Sequence, residues 1–338
     1  MTEGGLDVDE IRLGTVGTGV IVHAILDNAG LTEGIRLAAV YSRDEGRGGA
    51  LAAQYGGAKV YTDFDAFLGD PEVNFVYIAS PNLLHYRQAR QALLAGKNVI
   101  CEKPFCTRAR DVQALMDLAK ERGLFLVDAV PTAFLPNFEI LKRELPKIGR
   151  VKLVMANYSQ YSSRYDRLLE GEVPNIFNPA YAGGCLMDIN FYNVYLNVAL
   201  FGRPEEAVYY PNRFGDLADT SGTLVMRYDG FVSQSAGAKD TWGVNFFQIE
   251  GEKGYIYIRD GSNGIAEVKV ATKAGEETFN QQANPDRWFY EVQEIAALVL
   301  RGDYDAIYRR LDVTLDVIDT IEKARRDAGI CFPGDDEP

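Results

Sequence analysis

With 338 residues, the chain is too long for one ordinary core and suits two domains. Its net charge of −13 argues against DNA, RNA or an anionic membrane as a partner, and no apolar stretch has the length of a bilayer span. Two histidines, His23 and His85, are too few for a His-rich metal site, and four cysteines without CxxC spacing read as buried reduced thiols of a cytoplasmic protein.

Residues 1–9 are polar and acidic, lack the basic-then-apolar pattern of a secretory signal, and read as a flexible leader. Strand and helix then alternate over residues 10–130. Ile11 to Val16 is an apolar run ending in a glycine turn, and Val20 to Leu26 reads as the helix after it, closing near Gly30. Arg36 to Tyr41, Lys59 to Tyr61, Val73 to Ala79, Asn98 to Cys101 and Leu124 to Ala129 follow as strands, with a helix at Ala50 to Tyr55. Ser80 and Pro81 give an N-cap and a first-turn proline to a helix that stops at Gly96. Val112, Leu115, Met116 and Ala119 recur at helical spacing before Gly123. This alternation predicts a doubly wound parallel sheet.

The pattern changes after Pro136. Val151 to Tyr158, Ala207 to Phe214, Gly222 to Tyr228, Phe231 to Ala238, Asn245 to Gly251 and Tyr255 to Arg259 look like strands. Short turns such as Asp229-Gly230 and Glu252-Lys253-Gly254 join several of them. Residues 131–332 are therefore expected to form an α+β domain with a large open, mainly antiparallel sheet. Helices are expected at Gly184 to Leu200, Trp288 to Leu300 and Leu311 to Asp327, with residues 333–338 as a tail. A one-sided sheet needs a cover, so a homodimer or homotetramer through the open face is expected.

Gly14, Gly17 and Gly19 lie where the first strand turns into the first helix. In the segment Gly17-Thr18-Gly19-Val20-Ile21 the glycines let the backbone turn tightly and approach a pyrophosphate. The helix N-terminus adds N–H groups and a partial positive charge. Val22 stands where a third small residue is expected, which implies looser helix–sheet packing there. At the tip of the second strand an NAD enzyme usually carries Asp or Glu for the ribose 2′-hydroxyl, but here the residues are Tyr41-Ser42-Arg43. A hydroxyl and a guanidinium suit a 2′-phosphate, so the cofactor expected is NADP, with NAD possible and Asp44 placed to reach back to a ribose. Glu102-Lys103-Pro104 then puts a lysine at the carboxyl end of a buried parallel strand, the rim where such sheets bind ligands.

Four segments of the chain resemble the Gfo/Idh/MocA oxidoreductases: the glycine turn at 17–21, Ala79-Ser80-Pro81-Asn82 with His85, the run ending in Glu102-Lys103-Pro104, and Gly183-Gly184 with Asp188 and Tyr192. The resemblance spans roughly residues 10 to 330 in the family's order. It implies a Rossmann domain followed by an open antiparallel sheet domain, and oxidoreduction of a sugar, polyol or other vicinal hydroxyl/carbonyl compound. By position, Lys103 matches the family's active-site lysine and Asp188 the aspartate of the second motif. Tyr192 stands where inositol dehydrogenases have histidine, which is the pattern of the dihydrodiol dehydrogenase and glucose–fructose oxidoreductase branch. Ser80, Pro81, Asn82 and His85 match the segment that runs along the cofactor, with Glu102 beside the lysine. Asn190 replaces a common glycine, and Val130 to Pro136 lacks the Arg and His that many relatives carry there.

Oxidising an alcohol by hydride transfer needs a base for the hydroxyl proton. With no histidine at position 192, that base is Tyr192 or Lys103. Lowering a phenol from its usual pKa of about 10 to neutrality requires roughly 4 kcal/mol. One ammonium about 4 Å away at an effective dielectric near 20 supplies about that much. The expectation is Tyr192 as acid/base, Lys103 as activator and substrate anchor, and Asp188 as hydroxyl acceptor or orienter of Lys103. Two other readings stay open: a nucleotide-binding sensor without turnover, and an enzyme that retains and recycles its cofactor. The run Tyr161 to Asp166 reads equally as a polar pocket lining and as a solvated loop.

Overall fold

The computed structural model describes residues 8–336, so most of the expected leader and the last two residues lie outside the described part. The chain forms two compact units. The first comprises residues 8–106, 110–130 and 288–314, and the second comprises 107–109, 131–287 and 315–336.

The first unit is built on six parallel strands: β1 (Ile11–Val16), β2 (Ile35–Tyr41), β3 (Lys59–Tyr61), β4 (Phe75–Ile78), β5 (Asn98–Glu102) and β6 (Leu126–Ala129). Their order is β3-β2-β1-β4-β5-β6, with the direction of winding reversing between β1 and β4. Every residue of β4, β5 and β6 is buried, as expected of parallel strands covered on both faces. Connecting helices are α1 (Val20–Ala29), α2 (Glu45–Gln54), α3 (Phe64–Leu68), α4 (His85–Leu94) and α5 (Ala109–Arg122). Helix α2 begins five residues before the expected Ala50. Asp44 caps it by accepting from the Arg47 N–H, and a Cβ at Gly48 would come within 2.8 Å of Val60.

The second unit contains α6 (Pro136–Glu144), β7 (Val151–Ser159), α7 (Tyr165–Leu169), α8 (Cys185–Asp188) and α9 (Asn190–Phe201). These are followed by β8 (Glu206–Arg213), β9 (Asp219–Tyr228), β10 (Phe231–Ala238), β11 (Phe246–Gly251), β12 (Gly254–Arg259), β13 (Glu267–Thr272) and β14 (Gly275–Phe279). The eight strands order as β14-β13-β12-β11-β7-β10-β9-β8. All pairs are antiparallel except β7 with β10. One face is core: Val154, Ala156, Leu224, Met226, Phe247, Ile249, Ile256 and Ile258 are buried. Val208, Tyr210 and Val232 are exposed on the other.

The expected helix 184–200 is interrupted at Ile189, where α8 gives way to α9. Helix α9 buries three asparagines, Asn190, Asn193 and Asn197, at helical spacing. Their amide groups donate to the Ser235 carbonyl at 3.1 Å, the Ala236 carbonyl at 2.9 Å and the Ser235 hydroxyl at 3.2 Å on β10. The Ser262 hydroxyl donates to Asn193 Oδ1 at 2.7 Å.

The chain closes with α10 (Arg287–Leu300) and α11 (Tyr304–Asp327). The sequence reading assigned both to the second domain, yet residues 288–314 belong to the first unit. The Tyr304 ring stacks on Phe125 at 3.9 Å, and the Tyr304 and Tyr308 hydroxyls donate to the carbonyls of Gly123 and Leu124, each at 3.2 Å. The described part of the expected tail, residues 333–336, is also anchored. Asp335 pairs with Arg325 at 2.6 Å, with both side chains 2% exposed or less, and accepts from the Phe332 N–H.

Candidate active site

Register places the expected cofactor residues. Val16 lies beside Tyr41 and Ile78, and Ile78 beside Cys101, so four neighbouring strands end at one level. The next residues along them are Gly17, Ser42, Ala79 and Glu102, which gathers the glycine turn, Ser42-Arg43, Ser80-Pro81-Asn82 and Glu102-Lys103 on one rim. Gly17 has φ +118°, and a Cβ there would meet the Ala79 carbonyl oxygen at 2.9 Å. A Cβ at Gly19 would meet no atom within 4 Å, so space is open before α1. Helix α1 has no side-chain cap and no acidic residue in its first turn. These features fit an anionic pyrophosphate over Thr18, Val20 and Ile21.

At the second strand tip Arg43 is exposed, while the Ser42 hydroxyl donates to the Asp44 carbonyl at 2.8 Å. The Asp44 carboxylate, expected to reach back to a ribose, is committed to capping α2. Ser80 Oγ donates to Gln88 Oε1 at 2.6 Å, and Asn82 opens a short 3₁₀ turn ahead of α4.

His85 is buried, with Nε2 at 2.8 Å from the Ser80 carbonyl and Nδ1 at 3.0 Å from the Pro104 carbonyl. Burial holds its pKa below the ordinary value, although both carbonyls favour the imidazolium. The histidine thus clasps the turn that follows Lys103, and the Lys103-Pro104 peptide is cis. Glu102, expected as a cofactor contact, is buried and accepts from the Tyr77 hydroxyl at 2.6 Å. Burial, then the Glu102 charge, pushes the Tyr77 phenol well up. The Lys103 N–H donates to Glu102 Oε2 at 3.3 Å.

The second unit carries Asp188 and Tyr192. The Gly183-Gly184 pair is a steric requirement. A Cβ at Gly183 would lie 2.5 Å from the Asn175 carbonyl oxygen, and Gly184 has φ +136° with Asp219 Oδ1 2.2 Å from a would-be Cβ. Asp219 Oδ2 accepts from the Leu186 N–H at 2.8 Å and the Tyr209 hydroxyl at 2.6 Å, which secures the start of α8. Burial raises the Asp219 pKa despite these donors. Tyr192 is buried against Tyr158, whose ring lies 6.0 Å away edge-on, and Asn263 Nδ2 donates to the Tyr158 hydroxyl at 2.6 Å.

Asp188 forms an ion pair with Lys239, a residue that sequence reasoning passed over. A lysine at the end of a strand reads as a solvated charge, and its partner is far off in the chain. The only hint was the small and polar alternation Ser233, Ser235, Gly237 ahead of it, which marks that face of β10 as the buried one. Within the 161–166 run the Tyr161 hydroxyl donates to Asp166 at 2.6 Å. The Tyr161 ring also stacks at 5.6 Å on Trp242, which is 79% exposed. Val130 to Leu135 is wholly buried, with the Thr132 hydroxyl donating to the Ser262 carbonyl, so that apolar stretch is core. Cys101, Cys106 and Cys185 are buried and Cys331 is exposed; burial pushes the Cys101 and Cys185 thiols well up. Among the described residues no group of three or more His, Cys, Asp or Glu is placed to hold a metal, and no helix is long and apolar enough to cross a membrane.

A six-stranded parallel sheet with a glycine turn at its rim, followed by an open, mostly antiparallel sheet, defines a Rossmann-type oxidoreductase architecture. Residues 11–128 match the family described as "Oxidoreductase family, NAD-binding Rossmann fold", and residues 145–257 match the "GFO/IDH/MocA C-terminal domain". The chain belongs to the Gfo/Idh/MocA oxidoreductase family. It is 35% identical over 328 residues to the scyllo-inositol 2-dehydrogenase (NADP(+)) IolU of Bacillus subtilis, covering 96% of this chain and 99% of that one. It is 27% identical over 314 residues to the trans-1,2-dihydrobenzene-1,2-diol dehydrogenase of Sus scrofa, covering 89% and 91%. The crystal structure of KijD10, a 3-ketoreductase from Actinomadura kijaniata in complex with NADP and TDP-benzene, superposes with a TM-score of 0.83 at 21% identity, covering 94% and 97%, and shares the fold.

Proposed function

We propose that this chain is an NADP-dependent oxidoreductase that interconverts a secondary hydroxyl and a ketone on a sugar, polyol or vicinal hydroxyl compound. The observation that carries this most is the alignment of Val16, Tyr41, Ile78 and Cys101, which gathers the glycine turn, Ser42-Arg43 and Lys103 on one rim. The NADP named for the Bacillus subtilis relative supports the cofactor, and its cyclitol substrate supports the substrate class.

Residues 10–130 hold the dinucleotide and residues 131–332 carry the substrate side. Gly17 to Ile21 hold the pyrophosphate, Ser42 and Arg43 the 2′-phosphate, and Ser80 to His85 with Glu102 border the nicotinamide end. Bound NADP+ supplies the acceptor for the hydride that leaves the carbinol carbon. Tyr192, as the phenolate, takes the hydroxyl proton. Lys103 lowers the phenol pKa and anchors the substrate oxygen, and Asp188 accepts from a neighbouring hydroxyl.

The outward face carrying Val208, Tyr210 and Val232 supports assembly into a homodimer or homotetramer. A depression of about 610 Å³ between Gln248, Glu250, Tyr255, Tyr257 and Lys269 lies on strands of the same sheet. The buried thiols support a cytoplasmic location.

The test is nicotinamide absorbance with NADP(H) and NAD(H) against a panel of sugars, cyclitols and diketones. Turnover favouring NADP is expected. K103M and Y192F, made separately, should each lower kcat/KM by about 10²- to 10⁴-fold with NADP binding kept. Full turnover in both variants overturns the assignment, and NADP binding without any turnover of the wild-type chain makes it a sensor.

A further inference from the structure

Lys239 follows β10 and is held from both sides. Its N–H donates to the Thr220 carbonyl at 2.8 Å, and its carbonyl accepts from the Ser162 N–H at 2.8 Å. The side chain is 3% exposed, and its ammonium lies 5.6 Å from the Phe177 ring centroid. Burying a lone ammonium is costly, so such a lysine requires a carboxylate partner. That partner is Asp188, whose side chain is 27% exposed. The pair is therefore asymmetric: the cation is buried and the carboxylate is partly exposed.

We propose that Lys239 is a positioning residue of the active site, holding the Asp188 carboxylate ionised and oriented as the acceptor for a substrate hydroxyl. This rests on the functional reading above. Asp188 ends α8, and Tyr192 lies four residues on, so a fixed Asp188 also fixes the turn into α9. The titratable groups electrostatically linked to the pair are Cys185 of α8, which both partners influence, Asp219 of β9, which Lys239 influences, and Asp240 and Tyr209 of β8 through these two. All four of these groups are negative when ionised. Lys239 offsets the negative charges of Asp188, Asp219 and Asp240 that act together at Cys185, so removing it favours the protonated carboxyl at Asp188.

The experiment compares wild type, K239M, K239R, D188N and the K239M/D188N double variant. Readouts are NADP binding, kcat and KM across pH, and carbon NMR titration of the Asp188 carboxyl. K239M should lower kcat/KM at neutral pH about tenfold or more and move its acid limb up by about one pH unit or more. K239R should restore the limb, and K239M should cost little further in the D188N background. An acid limb and Asp188 titration unchanged in K239M, with NADP binding intact, overturn the proposal. If K239M does not fold, K239Q serves the same comparison, and failure of K239R to restore the limb overturns the proposal equally. A wild-type chain without turnover overturns the functional reading instead. The NMR titration then decides the pairing alone: an upward shift in K239M supports it and equal values overturn it.

Discussion

His85 Nδ1 lies 3.0 Å from the Pro104 carbonyl oxygen, so the helix after β4 is tied to the turn that presents Lys103. Burial keeps the ring neutral more firmly than in the unfolded chain, where its ordinary value is 6.5. The folded pKa is depressed, so the unfolded chain binds the extra proton. Stability is then full above pH 6.5 and declines as the pH falls below it toward the depressed folded value. Chemical unfolding across this window should show that slope, and H85Q should flatten it. An identical slope in both proteins would remove His85 as its source.

Arg43 is exposed at the tip of β2, where Asp44 is occupied in capping α2. Hydrogen bonds to a charged group contribute about 1.5–3 kcal/mol. R43A should raise the NADP Kd about 10- to 100-fold on that scale and leave NAD binding nearly unchanged. Equal losses for both nucleotides would show that Arg43 does not read the 2′-phosphate.

The Arg325–Asp335 pair is enclosed, and Arg325 also donates to the Ile330 and Thr107 carbonyls, each at 3.0 Å. D335A leaves a buried guanidinium without its carboxylate, a loss of about 3–5 kcal/mol. Thermal and urea unfolding should show it, with the larger change in the midpoint. Removal of residues 333–338 should cost as much as D335A, which a disposable tail would not.

Tyr210 and Val232 stand exposed on the outward face of the second sheet. If copies of the chain meet there, V232K with Y210E should lower the mass measured by light scattering to that of one chain and leave the circular dichroism unchanged. An unaltered assembly would move the interface elsewhere.

Much of the fold was legible because buried parallel strands write themselves as unbroken apolar runs, as in Phe75-Val76-Tyr77-Ile78. The strands β13 and β14 were missed for the opposite reason: Glu267, Lys269, Glu276 and Glu277 give them a polar text, and β14 is an edge. Helix α2 was read short because Gly46, Gly48 and Gly49 argue against helix, whereas Gly48 is there to let β3 approach. The rim residues could be read from strand ends alone. Lys239 could not, since only the folded β10 sets it against Asp188. The home of residues 288–314 was equally hidden, because it depends on Tyr304 meeting Phe125.

The asparagine stripe of α9 has a consequence for how firmly Tyr192 is held. Oily surfaces slide over one another at little cost, since burial has no direction. Amides bonded to individual strand oxygens admit one alignment only, and a shift along the axis would leave several donors stranded in the interior. The phenol on that helix is thus indexed against β10 like a tooth in a rack, so repacking the neighbouring apolar side chains should disturb its placement far less than replacing Asn193.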